Sequence, residues 1–157
     1  MILQNSLFPP ESSWTVPDVF PQFSETETVA IDLETYDPHL MTCGPGWATG
    51  RGHVVGIGVA TKDWEGYFPI RHEGGGNLDE GMVLRWLTKL LSSTKREVVF
   101  HNALYDVGWL RREGVIVKGK ILDTIIAAPL INENRFSYSL DNLGVAYCDE
   151  KKDESLL

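Results

Sequence analysis

A chain of 157 residues with 22 acidic against 14 basic side chains, a formal charge of −8 and a pI near 4.9 is long enough for one domain with a core and too short for two ordinary ones. That balance argues against a generic basic nucleic-acid binder, whose affinity comes from Lys and Arg on phosphates. It leaves open an enzyme that meets phosphate through cations held on carboxylates, because such a site is itself acidic.

The segment 1–28 is rich in Pro, Ser and Thr with scattered aromatics (Phe8, Trp14, Phe20, Phe23), and reads as an extended arm that docks by those rings. Val29 to Glu34 is a strand, and 37–52 is a long loop with four glycines and two prolines, too punctuated for helix or strand. Two further strands, 53–61 and 64–70, are joined by the short Lys62-Asp63 turn, so three adjacent antiparallel strands are expected. Residues 78–91 carry Val83, Trp86, Leu87, Leu90 and Leu91 at helical spacing, with Asn77 as the expected N-cap. Then come a short buried strand at 97–100, a helix at 103–112, the end of a strand at 120–122, and helices starting at Asp123 and Ser139. This succession predicts an α/β fold: a mixed five-stranded sheet with flanking helices, spanning 29–157.

Cys43 and Cys148 form no spaced metal motif and are too few for a disulfide framework, which suits a reducing compartment. No apolar run is long enough to span a bilayer, so a cytoplasmic protein with no membrane partner is expected.

Two acidic pairs stand out. Asp32 and Glu34 end an apolar run at strand spacing, and Asn102 and Asp106 follow another at helical spacing, so each pair shares one face of its element. Alone, any of these acids is more often a salt-bridge partner or cap than a ligand. Their position inside otherwise apolar elements changes the weighting, because a buried carboxylate is costly unless it binds metal or finds a partner. Convergence of the two pairs would make a divalent-metal site suited to phosphodiester cleavage. Trp47 and Arg51 in the glycine loop could reach a nucleic-acid strand, but such residues more often decorate a surface.

The series Ala30-Ile31-Asp32-Leu33-Glu34-Thr35, Phe100-His101-Asn102-Ala103-Leu104-Tyr105-Asp106, Leu122-Asp123-Thr124 and Ser139-Leu140-Asp141-Asn142-Leu143 resembles the proofreading 3′ to 5′ exonuclease domain of DNA polymerase I-like (family A) polymerases, in phage-like form. That family belongs to the DEDD exonuclease superfamily. The resemblance implies a ribonuclease H-like fold and two-metal hydrolysis of DNA 3′ ends, with Mg²⁺ as the natural ion and Mn²⁺ substituting. It implies that Asp32 and Glu34 bind one metal, Asp32 bridging to a second that Asp106 holds through water, so these three are the catalytic candidates. It also implies that His101, Asn102 and Tyr105 touch the terminal nucleotides of a frayed single strand, and that a polymerase domain or chain is a partner. Each of the three has a structural alternative, strongest for His101. Asp123 is expected first of all to be an N-cap.

The same resemblance leads one to expect a later helix bearing Tyr-x-x-x-Asp, whose Asp is the fourth carboxylate. Here the five tyrosines are followed four residues on by Leu40, Arg71, Trp109, Asn142 and Lys151. The expectation is therefore a domain incomplete at its C-terminus, with weak or absent hydrolysis. Rescue by the tail acids Asp149, Glu150, Asp153 or Glu154 is disfavoured, since that segment reads as a solvated surface. Two alternatives stand beside the exonuclease reading: a catalytically incomplete module that binds nucleic acid or a polymerase, and an RNA-trimming enzyme of the same superfamily.

Overall fold

The computed structural model describes residues 15–150. Five strands form one sheet in the order β3-β2-β1-β4-β5: β1 (Val29–Tyr36), β2 (His53–Ala60), β3 (Glu65–Pro69), β4 (Glu97–Phe100) and β5 (Lys120–Asp123). β1 to β3 pair antiparallel, whereas β4 and β5 run parallel to β1 and to each other, respectively. This is the mixed five-stranded sheet expected, with the parallel half built by crossovers through α3 (Glu80–Leu91) and α4 (Ala103–Arg112).

Alternation fixes the faces of β1. Val29, Ile31 and Leu33 are buried in the core, so Asp32 and Glu34 project from the opposite face. Phe68, Ile57, Val83, Leu87, Leu91, Trp109 and Leu110 complete that core. Each such side chain contributes about 1.5–3 kcal/mol by leaving water.

The segment just before β1 docks by two of the rings named above. Phe20 stacks on Phe68 with centroids 5.8 Å apart and meets Trp86 at 5.5 Å, while Phe23 meets Trp64 at 5.5 Å. Phe8 and Trp14 lie outside the described residues. A second fastening is not legible from pattern alone. Arg96, only 3 % exposed, donates to the carbonyls of Leu90, Glu27 and Ser24, tying the arm to the turn between α3 and β4.

Two expectations need correction. The N-cap of α3 is Asp79, whose carboxylate accepts from Met82 N at 2.7 Å, whereas Asn77 instead closes a turn with the backbone of His72. The loop 37–52 is not devoid of helix: it holds single turns α1 (Leu40–Cys43) and α2 (Gly46–Thr49). Pro45 opens α2 with a φ that suits a helix start, and Gly50 closes it in the left-handed region at φ 78°. The punctuating residues thus bound a short helix rather than preventing one. The last two helices, α5 (Thr124–Ile131) and α6 (Leu140–Cys148), begin after Asp123 and Ser139 as expected, each capped by that side chain.

Candidate active site

Asp32 and Glu34 lie on one face of β1, and a register shift follows at Glu34/Thr35. Such a bulge bends the strand immediately beyond the second acid. Across the sheet, Asp32 pairs with Gly58 and Glu34 with Gly56, so the neighbouring strand carries no side chain beside either carboxylate. The acids are half-buried rather than sealed.

Asp106 comes to the same place from the first turn of α4. β4 pairs with β1 only at Val29–Ala30 and stops at Phe100, which leaves Leu33 past the end of the ladder. The Asp106 carboxylate accepts the Leu33 N–H at 3.1 Å, on the residue between the two strand acids. It is 4 % exposed. Burial first, then the charge of Asp32, pushes its carboxyl up to about 7, partly offset by the Leu33 N–H. A cation would relieve that repulsion.

Asn102, Tyr105 and His101 flank this cluster in different roles. Asn102 precedes α4 in the left-handed region at φ 72°, a conformation Asn tolerates better than most residues, and is exposed. Its conformation is locked by Asp123, whose two carboxylate oxygens accept the backbone N–H groups of Asn102 and Ala103, while Oδ1 also accepts that of Ile125. Asp123 therefore caps α5, as the sequence indicates, and also the start of α4. The His101 ring bonds Thr124 Oγ1 at 2.9 Å. The Tyr105 hydroxyl lies 2.8 Å from Thr35 Oγ1 and donates to Asp37 Oδ2 at 3.0 Å.

Asp37 extends this network into the glycine loop. Its Oδ2 also accepts the Gly46 N–H at 2.8 Å, and Arg112 donates to the Gly46 and Arg51 carbonyls at 2.6 and 3.1 Å. Trp47 packs over Gly108, where a Cβ would fall 2.4 Å from its ring. Trp47 thus fastens the loop to α4, and Arg51 donates to Cys43 Sγ at 3.2 Å. Nothing in the sequence marked Asp37 or Arg112, since Asp37 joins an amide of its own loop to the Tyr105 hydroxyl and Arg112 bonds backbone carbonyls of that loop, partners that no motif announces.

Carboxylates are hard oxygen donors that suit Mg²⁺ or Mn²⁺, ions that complete their shells with water. Among the described residues, however, no group of three or more His, Cys, Asp or Glu side chains is placed to hold a metal ion. Two of these acids with water completing the shell therefore fit an ion better than a dry protein cage.

Residues 11–156 match the 3′-5′ exonuclease family. A DNA-directed DNA polymerase of Pseudomonas phage M6 is 39 % identical over 164 residues, covering 99 % of this chain and 24 % of the polymerase. The chain thus spans about a quarter of that relative's length. Among solved structures, Brucella melitensis NrnC with bound Mg²⁺ superposes with TM-score 0.60 at 18 % identity, covering 82 % of this chain and 57 % of that one. Escherichia coli RNase D, an exoribonuclease involved in structured RNA processing, superposes with TM-score 0.57 at 14 % identity, over 82 % and 30 %. These two likenesses establish the ribonuclease H-like fold.

Proposed function

Because this chain belongs to the 3′-5′ exonuclease domain family of DNA polymerase I-like (family A) polymerases, we propose that it removes nucleotides from DNA 3′ ends within a larger polymerase, using two divalent ions. The observation that carries the reading is the Asp106 carboxylate seated on the Leu33 N–H, between Asp32 and Glu34. Residues 29–157 form the exonuclease domain in this reading, preceded by residues 1–28 as an arm.

Asp32 and Glu34 would hold one ion, and Asp106 would reach the second through water. When bound, the ions supply positive charge to the attacking and departing oxygens of an in-line displacement. The protein's own share is placement. Leu33 N–H orients Asp106, Asp123 fixes the start of α4, and the exposed Asn102 amide is offered to the terminal nucleotide by hydrogen bonding. Tyr105 and His101 border the same strand path, although their polar atoms hold Thr35, Asp37 and Thr124. DNA is favoured over RNA because the phage polymerase relative is much closer in sequence than the structural neighbours.

One observation favours a second reading, a module that binds nucleic acid or a polymerase without cutting. Among the described residues, no group of three or more His, Cys, Asp or Glu side chains is placed to hold a metal ion. Incubation of the chain with 5′-labelled single-stranded DNA and RNA of one sequence in Mn²⁺, beside Asp32→Ala, separates these readings. Slow stepwise loss from the DNA 3′ end that vanishes in the variant is expected. Shortening that survives Asp32→Ala, or DNA bound intact by a folded chain, overturns the catalytic reading. Preferential shortening of RNA would reassign the substrate.

A further inference from the structure

One edge of the carboxylate site is built by β3. On the Asp32 face of the sheet, rows run across three strands: Asp32, Gly58, Tyr67 in one and Glu34, Gly56, Pro69 in the next. Two glycines therefore make a bare trough in β2 between the acids and Tyr67. The tyrosine fills it. A Cβ added at Gly56 would stand 1.8 Å from the Tyr67 hydroxyl and 2.2 Å from Cζ, so the ring lies along the trough toward Glu34. Gly58 is different, since its added Cβ would meet only ordinary contacts at 3.5 and 3.7 Å, both on Asp32.

The hydroxyl is held from behind. His72 Nε2 lies 2.6 Å from Tyr67 Oη, and the backbone of His72 is fixed in turn by Asn77 on both its N–H and its carbonyl. Burial, then the charges of Glu34 and Asp32, pushes the Tyr67 phenol up to about 12, so the hydroxyl keeps its proton.

We propose that Tyr67, anchored by His72 and admitted by Gly56, is a positioning residue that sets the orientation of the Glu34 carboxylate for metal binding. The proposal rests on the exonuclease reading of Asp32 and Glu34. Groups that orient ligating side chains typically change metal affinity by about 10–100-fold. A phenolic hydroxyl fixed at a carboxylate prepays the ordering of a side chain with three rotatable bonds.

Mn²⁺ titration of the intact chain, with melting temperature recorded for every variant, tests it. Tyr67→Phe is expected to weaken Mn²⁺ about 10-fold without lowering the melting point. Gly56→Ala is expected to do the same by displacing the ring, and Gly58→Ala to leave affinity unchanged. Adding Tyr67→Phe to Gly56→Ala is expected to cost nothing further. Wild-type affinity in Tyr67→Phe, in a chain whose Asp32→Ala variant no longer binds, overturns the proposal and leaves the exonuclease reading standing. Failure of the folded wild type to bind Mn²⁺ overturns both. Should Gly56→Ala not fold, His72→Gln takes its place, with a smaller loss of affinity expected and an unchanged affinity counting against the proposal.

Discussion

The carboxylate of Asp106 accepts a hydrogen bond from the backbone N–H of Leu33 at 3.1 Å, across 73 residues of sequence. The bond seals the end of the β1–β4 ladder with a group of the candidate site. Site and fold are therefore coupled, and removing the Asp106 side chain disturbs both.

Asp106→Asn separates the two effects. The amide oxygen keeps an acceptor for Leu33 N–H, but the negative charge is gone. Because the folded carboxyl titrates near 7 and the unfolded one near the ordinary value of 3.8, the native state holds the proton more tightly. Its stability therefore falls as pH rises from about 4 to above 7, by something on the order of 1–4 kcal/mol in the metal-free chain. Asp106→Asn is expected to lose this slope and melt higher than wild type at pH 8, while nuclease activity disappears. Thermal melts from pH 4 to 8, in chelator, measure it. A wild-type slope unchanged by the substitution would contradict the assignment.

Asp123 is expected to matter for folding more than for metal. Asp123→Ala leaves three N–H groups without their acceptor, at Asn102, Ala103 and Ile125. A single lost cap costs about 0.5–2 kcal/mol, so a loss toward or above the top of that range is expected. Amide exchange is expected to quicken at the starts of both α4 and α5. Acceleration confined to α5 would show that Asp123 is only a local cap.

Much of this was legible in the sequence, and the reasons differ by element. β1 and α3 announce themselves because their apolar spacing is set by burial on one side, and the acids of β1 stand out by breaking that pattern. Asp79 and Asn77 were exchanged as the cap of α3 because both residue types fill either position, and only the backbone direction decides. Arg96, Asp37 and Arg112 were not legible at all, since Arg96 and Arg112 bond backbone carbonyls far away in sequence and Asp37 joins an amide of its own loop to the Tyr105 hydroxyl. Of the residues that the resemblance placed at the substrate, His101 and Tyr105 have polar atoms engaged within the fold, a fact no motif carries.

Arg96→Met tests the arm. The substitution keeps a long apolar stem but withdraws the donor from the Leu90, Glu27 and Ser24 carbonyls. Buried acceptors left without partners cost about 1–3 kcal/mol each, less where water enters, so a destabilisation of about 2–4 kcal/mol is expected. Proteolysis is expected to begin in the arm near Ser24–Glu27. A variant as stable as wild type would mean that the aromatic contacts of Phe20 and Phe23 hold the arm unaided.

Asp37→Ala tests the glycine loop. Gly46 N–H and the Tyr105 hydroxyl both lose their acceptor, though Tyr105 keeps Thr35. A cost of about 1–2 kcal/mol is expected, with faster amide exchange at Gly46 and Trp47. Mn²⁺ affinity is expected to hold, because the loop contributes no carboxylate to the Asp32 cluster. Loss of Mn²⁺ binding would make Asp37 part of the metal site.

The most direct measurement is Mn²⁺ binding by the folded chain, followed by electron paramagnetic resonance, with Asp32→Ala and Glu34→Ala alongside. Saturable binding abolished by Asp32→Ala and strongly weakened by Glu34→Ala is the result predicted. A folded chain that binds no Mn²⁺, or binds it equally well without Asp32, would contradict the account and favour a module that holds nucleic acid without cutting it.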